Sequence, residues 1–341
     1  MSASTWPSVL STLLAGSDLN SEASTWAMEQ ILGGEATPSQ IAGFVVALRS
    51  KGATVDEITA FVETMYRHAA PMAVDGRVVD IVGTGGDGAR TVNISTMAAV
   101  TIAGAGIRVV KHGNRASSSQ SGSADVLESL GVRLDVPVND LGKVLDAVGI
   151  TFCFAPAFHP SMRFAGPTRK ELGVPTVFNI LGPLANPARV RHYLIGIGDA
   201  AMAAKMVRVL AANGAEQAWV VTGDGPIDEV SLTGPTQVQT LAADGTVGHH
   251  ELTPELVGLS CVEADELAGG DAARNVEIFA AVLAGETGPL RDIVLLNTAA
   301  ALVVTEIAGD MRDGIVRAAA SIDSGAAQRV LDTVRRIVNA A

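Results

Sequence analysis

Residues 82–88 read Val-Gly-Thr-Gly-Gly-Asp-Gly, four glycines and one carboxylate in seven positions. Glycine reaches φ > 0 and lets a backbone come close to a ligand. A run of such residues turns successive N–H groups to one side and makes an anion site, strengthened where a helix N-terminus follows. A tight turn with no ligand is the plainer alternative. Gly83, Gly85 and Gly88 also match a dinucleotide fingerprint, which expects an acidic residue about 20 positions on. The chain offers Lys111-His112-Gly113-Asn114 there, so that reading fails.

The loop is followed by Thr91, Asn93, Ser95 and Thr96. Any one of them is an ordinary helix cap; together, beside a glycine nest, they suit a phosphate-rich ligand or its hydrated metal. Lys111, Asn114, Arg115 and the run Ser117, Ser118, Ser119 offer a point charge and hydroxyl donors for a diphosphate. Asp228-Glu229 is a solvated turn if it stands alone. Next to a phosphate site it matches magnesium, which takes one or two carboxylates plus substrate oxygens. His112 and His159 sit at expected strand ends. The other histidines show no metal or triad spacing, and there is no G-x-S-x-G elbow.

These groups need a frame. Residues 1 to about 72 read as helices only, with Asn20 or Ser21, Thr37-Pro38 and Thr54 as starts. From residue 78 the pattern alternates. Strands are expected at 78–82, 108–111, 151–154, 193–197 and 218–222, with helices at 93–104, 125–131, 141–148 and 201–213. That order implies an α/β unit with a mostly parallel central sheet flanked by helices. The tail from about 271 is helical, with a long helix at 290–307. Residues 161–181 follow a strand, carry prolines and are long for a loop, and such stretches are often functional.

Composition narrows the class. The 341 residues carry 24 Lys plus Arg against 36 Asp plus Glu, a net charge of −12, which argues against a general nucleic-acid binder. Two cysteines, Cys153 and Cys261, are too few for a disulfide framework. No basic n-region precedes the early apolar residues and no apolar run reaches about 18, so neither a secretory signal nor a membrane span is expected. The chain reads as cytoplasmic.

The motifs GTGGD (83–87), NIST (93–96), KHGNRA (111–116), SGSADVLESLG (121–131), HPSMRFAGPTRKELGVPTVFNILGPLANPA (159–188) and IDE (227–229) together resemble the anthranilate phosphoribosyltransferases. GGEATPSQIAGFVVALRSKG resembles that family's helical domain. The resemblance implies transfer of 5-phosphoribose from phosphoribosyl diphosphate (PRPP) to the amine of anthranilate, with Mg2+, in a homodimer. It implies a helical domain of residues 1–72 joined by a returning segment at about 160–184. Residues 73–159 and 185–341 then form the α/β domain.

By the same resemblance PRPP is held by Gly83, Gly86, Asp87, Thr91, Asn93, Ile94, Ser95 and Thr96. The second strand and its loop add Lys111, His112, Gly113, Asn114, Arg115, Ala116, Ser117, Ser118, Ser119 and Ser123. Ser95, Asp228 and Glu229 hold the metal. Gly83, Asn114 and Arg169 hold anthranilate, with His112, His159 and Gly182 along its route. Gln120 departs from the family, where lysine is common. His112 is the nearest general base by motif, and packing against the substrate ring is an equal alternative. Two rivals remain: a pyrimidine-nucleoside phosphorylase, disfavoured by Gly113-Asn114, and a non-enzymatic nucleic-acid-binding relative, disfavoured by the charge.

Overall fold

Thr37 and Thr54 begin their helices in the same way. Each side chain accepts from the N–H three residues on, and Gln40 or Glu57 returns the bond to the cap's own N–H. This reciprocal cap satisfies two orphan donors at once. In the computed structural model, which describes residues 4–116, 120–225 and 227–340, four helices come first. They are α1 (Trp6–Leu14), α2 (Ser21–Leu32), α3 (Pro38–Lys51) and α4 (Val55–His68). Trp6 meets Phe44 edge-on at 6.1 Å, and Phe44 meets Phe61 at 5.8 Å. Each such pair adds roughly 0.5–1.5 kcal/mol beyond its burial.

The alternating part follows with β1 (Val78–Gly83), α5 (Ile94–Gly104), β2 (Arg108–Gly113), α6 (Ser123–Ser129), α7 (Val138–Val148) and β3 (Ile150–Phe154). Three short helices come next: α8 (Ala155–Phe158), α9 (Gly166–Leu172) and α10 (Phe178–Leu184). Then come β4 (His192–Gly196), α11 (Ala200–Ala212), β5 (Gln217–Thr222), β6 (Thr236–Leu241) and β7 (Val247–Leu252). The chain closes with α12 (Ala272–Leu283), α13 (Pro289–Val304), α14 (Met311–Asp323) and α15 (Ala326–Ala340).

The sheet runs β3-β2-β1-β4-β5-β6-β7. The first five strands are parallel; β6 and β7 are antiparallel. All five parallel strands lie where the apolar runs place them. The β6–β7 hairpin is additional to the expectation. From β1 the chain moves outward to β2 and β3, then returns to pair β4 on the other side of β1. Ligands in open α/β sheets bind at the carboxyl ends of the strands flanking such a reversal. Here those ends are Gly83 and Gly196, which pair in register.

α5 leaves this edge with every residue from Ile94 to Ala103 buried. A helix apolar on all sides belongs in a core, and α5 lies between the sheet and α13, α14 and α15. Residues 161–181 are not one loop. A 3-10 turn at Pro160–Phe164 packs on α2, α9 packs on α3, and α10 packs on α4. Among the described residues no helix is long and apolar enough to cross a membrane.

Candidate active site

Asp228 enters the sheet edge between the two paired glycines. A Cβ on Gly83 would lie 2.4 Å from Asp228 Oδ2, and one on Gly196 would lie 1.6 Å from the Asp228 carbonyl oxygen. At Gly196 the obstacle is backbone and only glycine fits; at Gly83 a side chain would displace the Asp228 carboxylate. Gly85, Gly86 and Gly88 all have φ between 69° and 78°, so the loop needs its glycines for conformation as well. The Gly85 N–H donates to Asp228 Oδ2 at 2.6 Å, so the loop already holds one anionic oxygen.

Asp87, Asp228 and Glu229 crowd this edge. Burial, then the charge of Asp87, pushes Asp228 up to about 7. Burial and Asp228 push Glu229 well above the usual carboxylate range, against the pull of Lys111 and the Ser95 N–H. Lys111 is 1% exposed. Its Nζ donates to the Ile81 carbonyl at 2.7 Å and to Ser95 Oγ at 3.2 Å. Burial lowers its pKa, while Asp80, Glu229 and Asp228 oppose that shift. The ammonium is therefore turned inward, toward the carboxylates.

Asp228 and Glu229 are hard oxygen donors that resist ionising without a compensating cation, a donor set suited to Mg2+. Among the described residues no three His, Cys, Asp or Glu side chains form a metal cage by themselves. A pair of carboxylates is nonetheless the protein share that magnesium takes when substrate phosphates and water complete its shell.

Asn93 stands at the start of α5 without capping it. Its Nδ2 donates to the Ser121 carbonyl, and its Oδ1 accepts from Asn275 Nδ2 at 2.8 Å. Ile94 and Thr96 are buried, so Ile94 can offer a ligand only its backbone. Thr91 bridges to Ala268, which ties the loop to the segment before α12. Asn114 is exposed at the end of β2, and its Oδ1 accepts from the Arg115 N–H. Arg115 is drawn away from the glycine loop: Glu128 and Asp125 hold its guanidinium, which also lies over Phe154 at 5.6 Å. Ser117, Ser118 and Ser119 lie outside the described residues. Gly113 and Ser123 are packed together, and a Cβ on Gly113 would be 3.3 Å from that of Ser123.

A second cluster adjoins. His112 Nδ1 donates to the Gly182 carbonyl at 3.0 Å, and His159 Nε2 donates to the Ala185 carbonyl at 3.0 Å. A carbonyl only accepts, so both tautomers are fixed. The rings are 5.3 Å apart. Arg169 is half-buried, 5.5 Å over Phe178, the first residue of the helix that carries Gly182. Among the described residues its guanidinium has no carboxylate partner, Glu171 included. Burial lowers its pKa.

Sequence reasoning passed over Asp80, which is completely buried beneath both clusters. It accepts from the His112 N–H at 3.1 Å and from Asn186 Nδ2 at 2.8 Å, and burial pushes it up to about 6. A carboxylate inside the apolar run Val-Val-Asp-Ile-Val was the available signal, because buried charges are paired or bonded.

Burial pushes His112 down to about 3 and His159 down to about 4. Folded, both rings stay neutral as pH falls; unfolded, they take up protons near pH 6.5. Through these rings the unfolded chain binds more protons, so their share of stability drops as pH falls from about 6.5 toward 4, by up to about 1.4 kcal/mol per pH unit for each ring. Asp80, Asp228 and Glu229, pushed up in the fold, act in the opposite direction over the same range, so the histidine share is read against a variant. The urea midpoint of His159→Gln, whose amide still donates to Ala185, should rise relative to that of the wild type between pH 7 and pH 5. A difference that does not change with pH would mean that His159 is not held neutral.

Two family models together cover nearly the whole chain. The glycosyl transferase family, helical bundle domain, matches residues 7–69, and the glycosyl transferase family, a/b domain, matches residues 75–328. An anthranilate phosphoribosyltransferase from a Nocardioides species is 54% identical over 96% of this chain and 97% of its own. The crystal structure of the Thermus thermophilus enzyme of that name superposes with a TM-score of 0.91 at 38% identity, covering 97% of this chain and 99% of that one. The Saccharomyces cerevisiae enzyme in complex with PRPP and Mg matches at 0.90 and 29%, over 98% of each chain. In complex with 4-fluoroanthranilate it matches at 0.88 and 28%, over 99% of each. The chain belongs to the anthranilate phosphoribosyltransferase family.

Proposed function

We infer that this chain transfers 5-phosphoribose from PRPP to the amine of anthranilate, giving N-(5-phosphoribosyl)anthranilate and diphosphate, in tryptophan biosynthesis. The observation that carries the acceptor assignment is the half-buried guanidinium of Arg169, which lies over Phe178 and has no carboxylate partner among the described residues. Anthranilate has a carboxylate next to its amine, and a planar guanidinium fork fixes a carboxylate in orientation. The donor assignment rests on the glycine loop at the sheet reversal, with Gly83, Gly86, Asp87 and residues 91–96 assigned to PRPP; Ser95 at the start of α5 meets Lys111 of β2 there. The yeast relative's complexes support both.

The acceptor amine is already a nucleophile, so no serine or cysteine nucleophile is required. Ser95, Asp228 and Glu229 are assigned to magnesium, which when bound offsets negative charge on the departing diphosphate. Lys111 balances the same carboxylates from below. Asn114 and Arg169 orient the acceptor, and holding two substrates in line supplies much of the acceleration. His112 presents a neutral ring whose Nδ1 proton is committed to Gly182. We assign residues 1–72 and 160–184 to one helical unit, on the packing of the 3-10 turn, α9 and α10 against α2, α3 and α4. We also propose a cytoplasmic homodimer, which the exposed apolar Leu14 on α1 and Val46 on α3 would support as surface for a partner copy.

Arg169→Ala should raise the anthranilate KM by roughly 10- to 100-fold, the loss of one charge-assisted contact of about 1.5–3 kcal/mol. The PRPP KM should stay within about twofold, and lysine should rescue poorly for lack of the fork. Steady-state kinetics with each substrate varied in turn decides it. A PRPP defect, or none, would move the acceptor site elsewhere.

A further inference from the structure

Asp125 is the third residue of α6, where an acidic side chain returning to the cap N–H of Gly122 is ordinary. Its Oδ2 takes that bond at 2.9 Å. The same oxygen also accepts from the Ala116 N–H at 3.0 Å, six residues before the helix cap. A cap has no use for that second donor. One carboxylate oxygen thus joins the end of the β2 segment to the start of α6. Its other oxygen accepts from Arg115 at 3.2 Å, while Arg115 makes two further bonds to Glu128 at 2.6 and 2.8 Å.

The junction is closed on its backbone side as well. The Ala124 N–H donates to the Asn114 carbonyl at 3.2 Å. A Cβ on Gly122 would lie 2.3 Å from the Ala116 nitrogen and 2.6 Å from the Arg115 carbonyl carbon. Gly122 has φ −91°, within reach of any residue, so what demands glycine there is the close approach.

We propose that Asp125, with Gly122, is a positioning residue for the donor substrate: it clips Asn114, Arg115 and Ala116 against Gly122 and Ser123, and so fixes where the β2 end meets PRPP. Asp125 touches no substrate. The inference rests on the assignment of this edge to PRPP. Without the clip, the β2 end and α6 lose their shared anchor and the donor pocket is no longer held ready. Pre-arranged contacts bind more tightly because less ordering remains to be done on binding. His112 and His159 are held separately, through the carbonyls of Gly182 and Ala185; Asn114 is the acceptor group that lies inside the junction, so the anthranilate KM should rise less than the PRPP KM.

The test is steady-state kinetics on the full chain with PRPP and anthranilate varied in turn, alongside calorimetric binding of magnesium diphosphate. Asp125→Ala should raise the PRPP KM at least tenfold and weaken diphosphate binding similarly, with a clearly smaller rise in the anthranilate KM through Asn114. Asp125→Asn keeps an acceptor oxygen in the same place and should recover most of the loss. A merely structural residue would lower Tm and the active fraction while leaving the PRPP KM alone, and that result overturns the proposal. If Asp125→Ala does not fold, Gly122→Ala, which forces the same junction apart, must show the same split in KM values, and an unchanged PRPP KM there overturns it equally. Wild-type protein that fails to consume anthranilate with PRPP and magnesium would instead refute the functional reading itself.

Discussion

Replacing Asp228 by asparagine should make the protein less active and, without magnesium, more stable. Asparagine keeps an oxygen for the Gly85 N–H and fills the same space between Gly83 and Gly196. What it removes is a buried negative charge that Asp87 and Glu229 both repel. A metal acting as Lewis acid on a leaving group is worth several kcal/mol, so activity should fall by roughly 10²–10³ and need more magnesium to reach its plateau. Relief of about 1 kcal/mol of repulsion raises Tm by roughly 1–2 °C in a chain of 341 residues. Activity against magnesium concentration, and melting with a chelator present, measure the two halves. A variant with an unchanged magnesium curve would return Asp228 to the rank of an ordinary turn residue.

Lys111→Met should act with the opposite sign on stability. Methionine is close in length and suits the buried path, yet it leaves Glu229, Asp228 and Asp80 without the cation that opposes their burial. Removing one partner from a buried charge group typically costs about 3–5 kcal/mol. The loss of PRPP turnover should exceed any loss of anthranilate affinity, because the ammonium supports Ser95 and the carboxylates and touches nothing in the acceptor cluster. Urea denaturation of Lys111→Met and of the double variant with Asp228→Asn gives the coupling directly. The double variant should regain part of the stability. Strictly additive effects would mean that Lys111 and Asp228 do not sense one another.

The parallel strands were legible because buried parallel strands are short apolar runs, and four of the five end at or beside a glycine, while β3 runs straight into α8. For the same reason the sequence could not say where Lys111 points. A strand covered on both faces gives no alternation, so an inward ammonium and an outward one read alike. The β6–β7 hairpin was missed because Gln237, Gln239, His249, His250 and Glu251 dilute its apolar content. Asp244-Gly245 in the connecting turn, with Gly245 at φ 82° and Ala242 bonded to Thr246, was the signal for it. Residues 161–181 resisted reading because their helices are too short for a period to emerge: α9 spans seven residues with Pro167 in its first turn, and α10 carries Pro183 inside it. Their partners are the surfaces of α2, α3 and α4, more than a hundred residues earlier, which no local pattern reveals.

Anthranilate fluorescence is lost when its amine becomes ribosylated, so the central claim can be read in one cuvette. Purified protein with anthranilate, PRPP and magnesium should quench that fluorescence with one diphosphate released per anthranilate consumed, and omission of either PRPP or magnesium should abolish the change. Steady fluorescence with all components present, alongside phosphate-dependent cleavage of a pyrimidine nucleoside by the same preparation, would contradict the account.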